Sequence, residues 1–437
     1  MIKKILILLA CLVLPCACGK TRLKYETPVA AKIPVSYPDL SFAIMSDIHI
    51  YDPSLGSSGA AFDKVLHSDR KLLLDGIDLL DFAIEAILAS DASFVLIPGD
   101  LTKDGELINH QLLAGKLKRL RNAGIGVYVV PGNHDINNPD AVSFSGNDTA
   151  PSPTVSAEEF AGIYGDFGFK SALMRDDDSL SYVAEPAEGL WLLCLDVCRY
   201  RENAKGKGEV VSGKISQITA DWIASVLQAA MDGNKAVIAI VHHGVVEHWK
   251  GQSKLHPDYL ISDYENFGKF LASWGVRLVF TGHYHAQDIT LAQFGKKFIY
   301  DIETGSLVTA PCPIRYAKIK DNVLQIRTET IADQIHPDTD FAVNAQAFVK
   351  NTVMLEAVKI LRKYMVSGKD AAYIADAIGD AYVAHYAGDE ALSLRPEFDE
   401  KKLGPWGRFI FGMQRYVLDG LWTDLPPEDN NVRINLR

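Results

Sequence analysis

The chain has 437 residues, 48% of them apolar and 23% charged, with a formal net charge of −11. That length and apolar share describe a globular protein, either one large domain with an appendage or two to three domains. The acidic balance excludes a general nucleic-acid surface, which needs a basic stripe.

Lys3-Lys4 precedes an apolar run from Ile5 to Leu14, followed by Pro15-Cys16-Ala17-Cys18. The run is too short to cross a bilayer as a helix, which takes about 20 residues. Residues 1–18 therefore read as an export leader. The Ala17-Cys18 step resembles a bacterial lipoprotein signal, which implies a lipid on Cys18 and a place in the cell envelope. Residues 19–40, with their prolines and charges, read as a tether. The remaining cysteines, Cys194, Cys198 and Cys312, are odd in number, so at least one stays free or pairs between chains. Cys194 and Cys198 sit in or just after an apparent strand, Trp191 to Leu195; if both lie in it, they stand about 13 Å apart, too far to bridge.

Five apolar runs follow, and each ends in metal-type side chains. Phe42 to Met45 leads to Asp47 and His49, and Phe94 to Ile97 leads to Gly99-Asp100. Val127 to Val130 leads to Gly132-Asn133-His134-Asp135, Ala236 to Val241 to His242-His243, and Val276 to Phe280 to Gly282-His283-Tyr284-His285. Continuous apolar runs mark strands buried on both faces. Ligands of open α/β folds gather beyond the carboxyl ends of such strands. The five ends are expected to converge on one site centred on Asp100.

Helical spacing of Leu73, Ile77, Leu80, Ile84 and Ile87, then of Leu113, Leu117 and Leu120, places crossover helices between the first runs. That βαβ order favours parallel pairing. Another helix is expected near Ile215–Met231. Asp52 to Arg70 reads as a loop at the site rim and Ile136 to Thr154 as a long surface loop. Val245 to Pro257, with His248, Trp249 and His256, reads as a lid or specificity loop. His67, His110, His336 and His385 read as surface or packing residues. Past His285 the pattern turns to antiparallel strands, at Lys297–Ile302, Ile314–Lys320 and Val323–Thr330. From Ile331 it turns helical, with a helix through Val349 to Tyr364 capped by Gly368, then Ala371–Tyr386 and Trp406–Leu418. The expected organisation is one domain over 41–330 and a helical extension over 331–437.

Carboxylates, an amide oxygen and imidazoles are hard-to-borderline donors, suited to Mn, Fe or Zn. There are enough for two ions if one carboxylate bridges them, and two ions can clamp a phosphoryl group. His242 is the expected donor at its strand end, with His243 lining the pocket.

Asp47-x-His49, Gly99-Asp100, Gly132-Asn133-His134-Asp135, His242 and Gly282-His283-x-His285, in that order, resemble the calcineurin-like metallophosphoesterase superfamily. The likeness spans roughly residues 40–330. It implies an α/β fold of two facing mixed β-sheets flanked by helices. It also implies two divalent or mixed-valence metal ions. Asp47, His49 and His285 would hold one, Asn133, His242 and His283 the other, and Asp100 would bridge. His134 would contact the phosphate and help the leaving oxygen depart, and Asp135 would orient His134. A metal-bridging hydroxide would attack phosphorus. Gly99-Asp100-Leu101-Thr102 looks most like the branch with class III cyclic-nucleotide phosphodiesterases and related exported phosphoesterases. Export turns the expectation toward a phosphodiester or phospholipid head group met outside the cytoplasm. Two alternatives stand beside it: a phosphomonoesterase on the same site, and an envelope protein that binds metal without turnover. The presence of His134 speaks against the second.

Overall fold

The structure, a computed structural model, describes residues 23–28 and 36–437. The leader with Cys18 lies outside the described residues, as does half of the tether. Residues 23–28, expected to belong to that tether, instead pack on the domain. Tyr25 stacks on Phe270 at 5.0 Å, and Lys24 N–H donates to Gln217 Oε1 at 2.9 Å.

Two mixed sheets face each other. The first runs in the order Asn431–Asn435, Val323–Thr330, Pro313–Lys320, Leu40–Ile44, Phe94–Ile97, Gly126–Val129. Its last three strands are parallel, as the crossover helices require. The second runs Asp288–Phe294, Lys297–Glu303, Leu278–Thr281, Ala236–Val241, Leu190–Leu195, Tyr182–Ala187, Met174–Arg175. The Ala236–Val241 strand shows why its run is apolar throughout. Ile238 and Ile240 enter the core between the sheets, while Val237, Ala239 and Val241 meet the helices Gln217–Asp232 and Tyr264–Ser273. Alternate side chains of a strand take opposite faces, so both faces here need apolar residues. Phe42 joins the layers, stacked on Phe94 at 4.9 Å and edge-on to Phe280 at 5.4 Å.

Three long helices, Phe341–Lys363, Gly368–Ala387 and Pro405–Leu421, form a separate apolar cluster beside the second sheet. Gly368 does not cap the first of them. It opens the second, where the Ser367 side chain accepts from Asp370 N–H at 3.1 Å. The extension is not wholly helical either: Asn431–Asn435 returns to the first sheet, burying Val432 and Ile434 and exposing Arg433. The expected loop at 136–154 holds a hairpin, Val142–Ser145 against Asp148–Pro151. No described helix is long and apolar enough to cross a membrane.

Of the two readings of Val245 to Pro257, a lid or a specificity loop, the lid fails, while His256 does line a cavity beside the expected site. His248 and Trp249 are fully buried, and Trp249 sits in the apolar cluster of the C-terminal helices. Gly420 packs so closely on the Trp249 ring that a Cβ there would approach it to 2.7 Å. Trp249→Ala is expected to cost about 3–5 kcal/mol of stability, the usual price of emptying an aromatic site. Urea unfolding measures this, and a loss under about 1 kcal/mol would return the segment to the surface.

Candidate metal centre

The five strand ends do converge. Main-chain bonding continues past the strands, with Asp47 N–H donating to Gly99 O at 3.2 Å and His49 N–H to Asp100 O at 3.0 Å. The backbone there is strained. Asp47, His49, Asp100, His283 and His285 all have φ between 41° and 77°. A left-handed conformation costs an L-residue roughly 1–2 kcal/mol, and strain of this kind gathers at functional sites. Two motif glycines are required by close approach. A Cβ on Gly132 would fall 2.0 Å from Asp100 Oδ1, and one on Gly282 2.4 Å from Asp47 Oδ2.

The donors form two groups that share Asp100. Asp47, His49, Asp100 and His285 bring one donor atom each within 4.8 Å of one another, and so do Asp100, His242 and His283. Asp100 Oδ2 lies 3.5 Å from His49 Nε2 and 3.4 Å from His242 Nε2, while its Oδ1 accepts the His134 N–H at 3.1 Å. His49 Nδ1 faces Thr102 O at 3.2 Å and His242 Nδ1 faces Pro98 O at 2.8 Å. A carbonyl can only accept, so each ring keeps its proton on Nδ1 and turns Nε2 inward. His49 Nε2 then meets His285 Nε2 at 3.2 Å, and His242 Nε2 meets Asn133 Oδ1 at 3.2 Å. Lone pairs aimed at one another in this way suit cations. Burial first, then the charge on Lys71, keeps His49 well below the ordinary histidine range. Burial, with His243 and His242 nearby, does the same for His283. Neutral imidazole is the form that binds metal. Burial also opposes charge on His242, but Asp100 outweighs it and lifts the pKa to about 9. The negative field that would hold that proton would hold a cation. His243 turns away, with Nε2 2.7 Å from Val211 O.

The profile of the calcineurin-like phosphoesterase family matches residues 40–287. The chain belongs to that family. Its two mixed sheets flanked by helices match the family's fold. No curated protein matches the chain. Among solved structures it is similar to a dimetal phosphatase from Danio rerio, at 16% identity and TM-score 0.47, covering 68% of this chain and 96% of that one. It is also similar to purple acid phosphatase PPD1 from yellow lupin, Lupinus luteus, at 12% identity and TM-score 0.44, covering 69% of this chain and 53% of that one. Family membership makes the chain a metallophosphoesterase, with a cluster of His and Asp donors fit for metal.

Around this metallophosphoesterase centre lie residues that no motif announces. His134 Nδ1 is 3.0 Å from Asp104 Oδ1 and 3.4 Å from Glu209 Oε2. Burial disfavours its charge and so does Lys71, yet Glu209, Asp100 and Asp104 together raise its pKa to about 10. The ring is therefore charged at neutral pH. Asp135 does not orient it, contrary to expectation. Its carboxylate accepts from Leu101 N, Thr102 N, Thr102 Oγ1 and Gly132 N at 2.8–3.0 Å. Asp135 thus ties the Asp100 loop to the Gly132 loop. Asp104 is the residue that holds the His134 ring.

Glu209 has a further task. Its Oε1 accepts from Asn133 Nδ2 at 3.3 Å, which turns Asn133 Oδ1 toward His242. Lys71 is buried, pairs with Asp69 Oδ2 at 3.1 Å, and points Nζ at His134 Nε2, 3.4 Å away. Burial works against its charge, but Asp69, Asp100 and Asp104 hold its pKa above the ordinary lysine value. His110, expected to pack or lie on the surface, is fully buried. It bridges Tyr164 OH at 2.9 Å and Asp135 O at 2.8 Å, and so buttresses the motif from behind.

Proposed function

We propose that this metallophosphoesterase hydrolyses a phosphodiester carrying an apolar substituent, met outside the cytoplasm. The observation that carries the anionic part is the pair His134 and Lys71. Two cationic donors converge with Nε2 and Nζ 3.4 Å apart, beside the shared carboxylate Asp100. Asp69, Asp100, Asp104 and Glu209 surround the pair, and each nitrogen can also turn a proton toward an anionic oxygen placed beside them. A phosphoryl oxygen fits that description.

The apolar part follows from a cavity of about 400 Å³ beside the centre, lined by Arg70, Tyr259, Tyr284, Ile374, Tyr382 and Phe411. The Tyr259 ring packs on His283 at 4.5 Å, so the cavity wall touches the donor group itself. Arg70, next to Lys71 in sequence, lies 6.0 Å over the Tyr382 and Tyr386 rings. Ile360, Tyr364 and Met413 line the cavity while staying about half exposed, which gives it an apolar rim. An apolar wall desolvates the phosphoryl group, and a diester monoanion suffers less from that than a monoester dianion. A phospholipid head group meets these requirements, and the lipoprotein-like leader would bring the enzyme to a membrane surface.

In this reading Asp47, His49, Asp100 and His285 would hold one divalent cation, and Asp100, Asn133, His242 and His283 would hold the other, as Mn, Fe or Zn. Two such ions supply Lewis acidity to the phosphoryl oxygens and lower the pKa of water. The protein does the rest. His134 presents its Nε2 proton to the departing alkoxide while Asp104 steadies the ring and keeps it charged. Lys71 adds positive charge where it develops on phosphorus oxygens.

A phosphomonoesterase is the second reading, because two cationic side chains also suit a dianion. The deciding experiment strips the full chain of metal, reloads it with Mn, Fe or Zn, and compares bis-p-nitrophenyl phosphate with p-nitrophenyl phosphate. A higher kcat/KM for the diester, rising further with an apolar ester group, is expected. Faster turnover of the monoester would move the assignment to phosphatase.

A further inference from the structure

A second set of buried donors lies away from the catalytic candidates, where the C-terminal helices meet the second sheet. Asp288 opens the Asp288–Phe294 strand, His385 lies in the last turn of Gly368–Ala387, and Glu390 follows that helix. One donor atom from each lies within 4.8 Å of the others. Their exposures are 1%, 0% and 4%.

Their hydrogen bonding is incomplete. Asp288 Oδ1 is satisfied by His248 Nδ1 at 2.8 Å and Thr290 Oγ1 at 2.9 Å. Glu390 Oε1 is satisfied by His385 Nδ1 at 2.7 Å. The partner oxygens, Asp288 Oδ2 and Glu390 Oε2, have no hydrogen-bond partner, nor has His385 Nε2. A protonated His385 therefore does not complete the group: it fills one oxygen of Glu390 and stands 4.0 Å from Asp288 Oδ2. Of the buried cationic groups in the neighbourhood, His248 reaches Asp288 only at Oδ1, and Arg315 gives its N–H groups to the carbonyls of Asp429 and Glu303. A further buried oxygen without a partner, Asp424 Oδ1, belongs to an adjoining acidic trio with Asp389 and Asp429. An open cavity lined by Asp389, Glu390, Asp424 and Glu428 borders the group on the Glu390 side. Buried polar atoms are otherwise almost always satisfied, and unpaired carboxylate oxygens ask for a cation.

We infer that Asp288, His385 and Glu390 bind a structural divalent cation distinct from any held at the catalytic centre. Carboxylates plus one imidazole select Mn or Zn over Ca, which takes oxygen donors. The ligands come from a strand of the second sheet and from the end of a C-terminal helix, so the ion would clamp the extension to the domain. Tyr382 and Tyr386, which wall the proposed substrate cavity, stand on that same helix.

The test counts metal on the full chain after equilibration with Mn or Zn and removal of unbound ion. Wild type is expected to hold three ions per chain, and Asp288→Asn or Glu390→Gln two, with metal-dependent turnover retained. In Asp100→Asn, thermal unfolding should still shift upward on adding the metal, and the shift should vanish when Glu390→Gln is added. Should Asp288→Asn fail to fold, Glu390→Gln, outside regular structure, carries the comparison. The same metal content in wild type and both variants would overturn the inference. A single ion in wild type, lost in Glu390→Gln, would support it while removing the dinuclear reading of the catalytic centre.

Discussion

Asp100→Asn is expected to abolish metal-dependent turnover, a loss larger than the about 10–100-fold that follows removal of a partner behind a ligand. The reason is the place of one oxygen. Asp100 Oδ2 faces His49 Nε2 at 3.5 Å and His242 Nε2 at 3.4 Å, one from each donor group. Asparagine removes the negative charge and can set an NH2 donor where two cations would share an acceptor. It keeps an oxygen for the His134 N–H, and it is among the residues that best tolerate the φ of 49° found at this position. The fold should therefore survive while metal binding at this centre does not. Metal content and thermal unfolding of the variant, measured together, separate the two effects. A variant that folds, holds both catalytic ions and keeps wild-type kcat would remove Asp100 from the centre.

The parts of this molecule legible in the sequence are those where one physical demand fixes residue type over several positions. A strand covered on both faces must be apolar throughout, so the runs at Phe42, Phe94, Val127, Ala236 and Val276 announce themselves, and the donors at their ends come with them. Gly132 and Gly282 sit where a Cβ would strike a donor carboxylate, which makes them readable as motif. Lys71, Asp104 and Glu209 are different. Each acts through one contact made by the tertiary fold, and a solitary charged loop residue looks like any solvated one. Asp135 is a related case, because adjacency to His134 in sequence says nothing of where its carboxylate points. The strand Asn431–Asn435 shows alternation over too few residues to outweigh the helical text before it. Trp249 did carry a signal, an aromatic residue between charged neighbours, but burial under a distant helix and exposure at a site rim predict the same letter.

His134 supplies the sharper test of chemistry. His134→Asn is expected to lower kcat by about 10²–10⁴-fold on a diester with an alkyl leaving group, the range for loss of a general acid. On a p-nitrophenyl ester the loss should be much smaller, since that leaving group departs without a proton. The metal content should not change, because His134 belongs to neither donor group. Asp104→Asn should act in the same direction but less, about 10–100-fold, as a partner behind the working residue. It also carries a pH signature. Asp104 is among the groups that raise His134 to about 10, so its neutralisation lowers that pKa. If His134 acts as the proposed general acid, the protonated ring is the working form, so activity falls as pH rises through the pKa and the alkaline limb of the variant moves to lower pH. Equal losses on both leaving groups would make His134 a residue that binds the phosphoryl oxygens. The proton on the leaving oxygen would then have to come from another of the donors around it, with Lys71 the nearest.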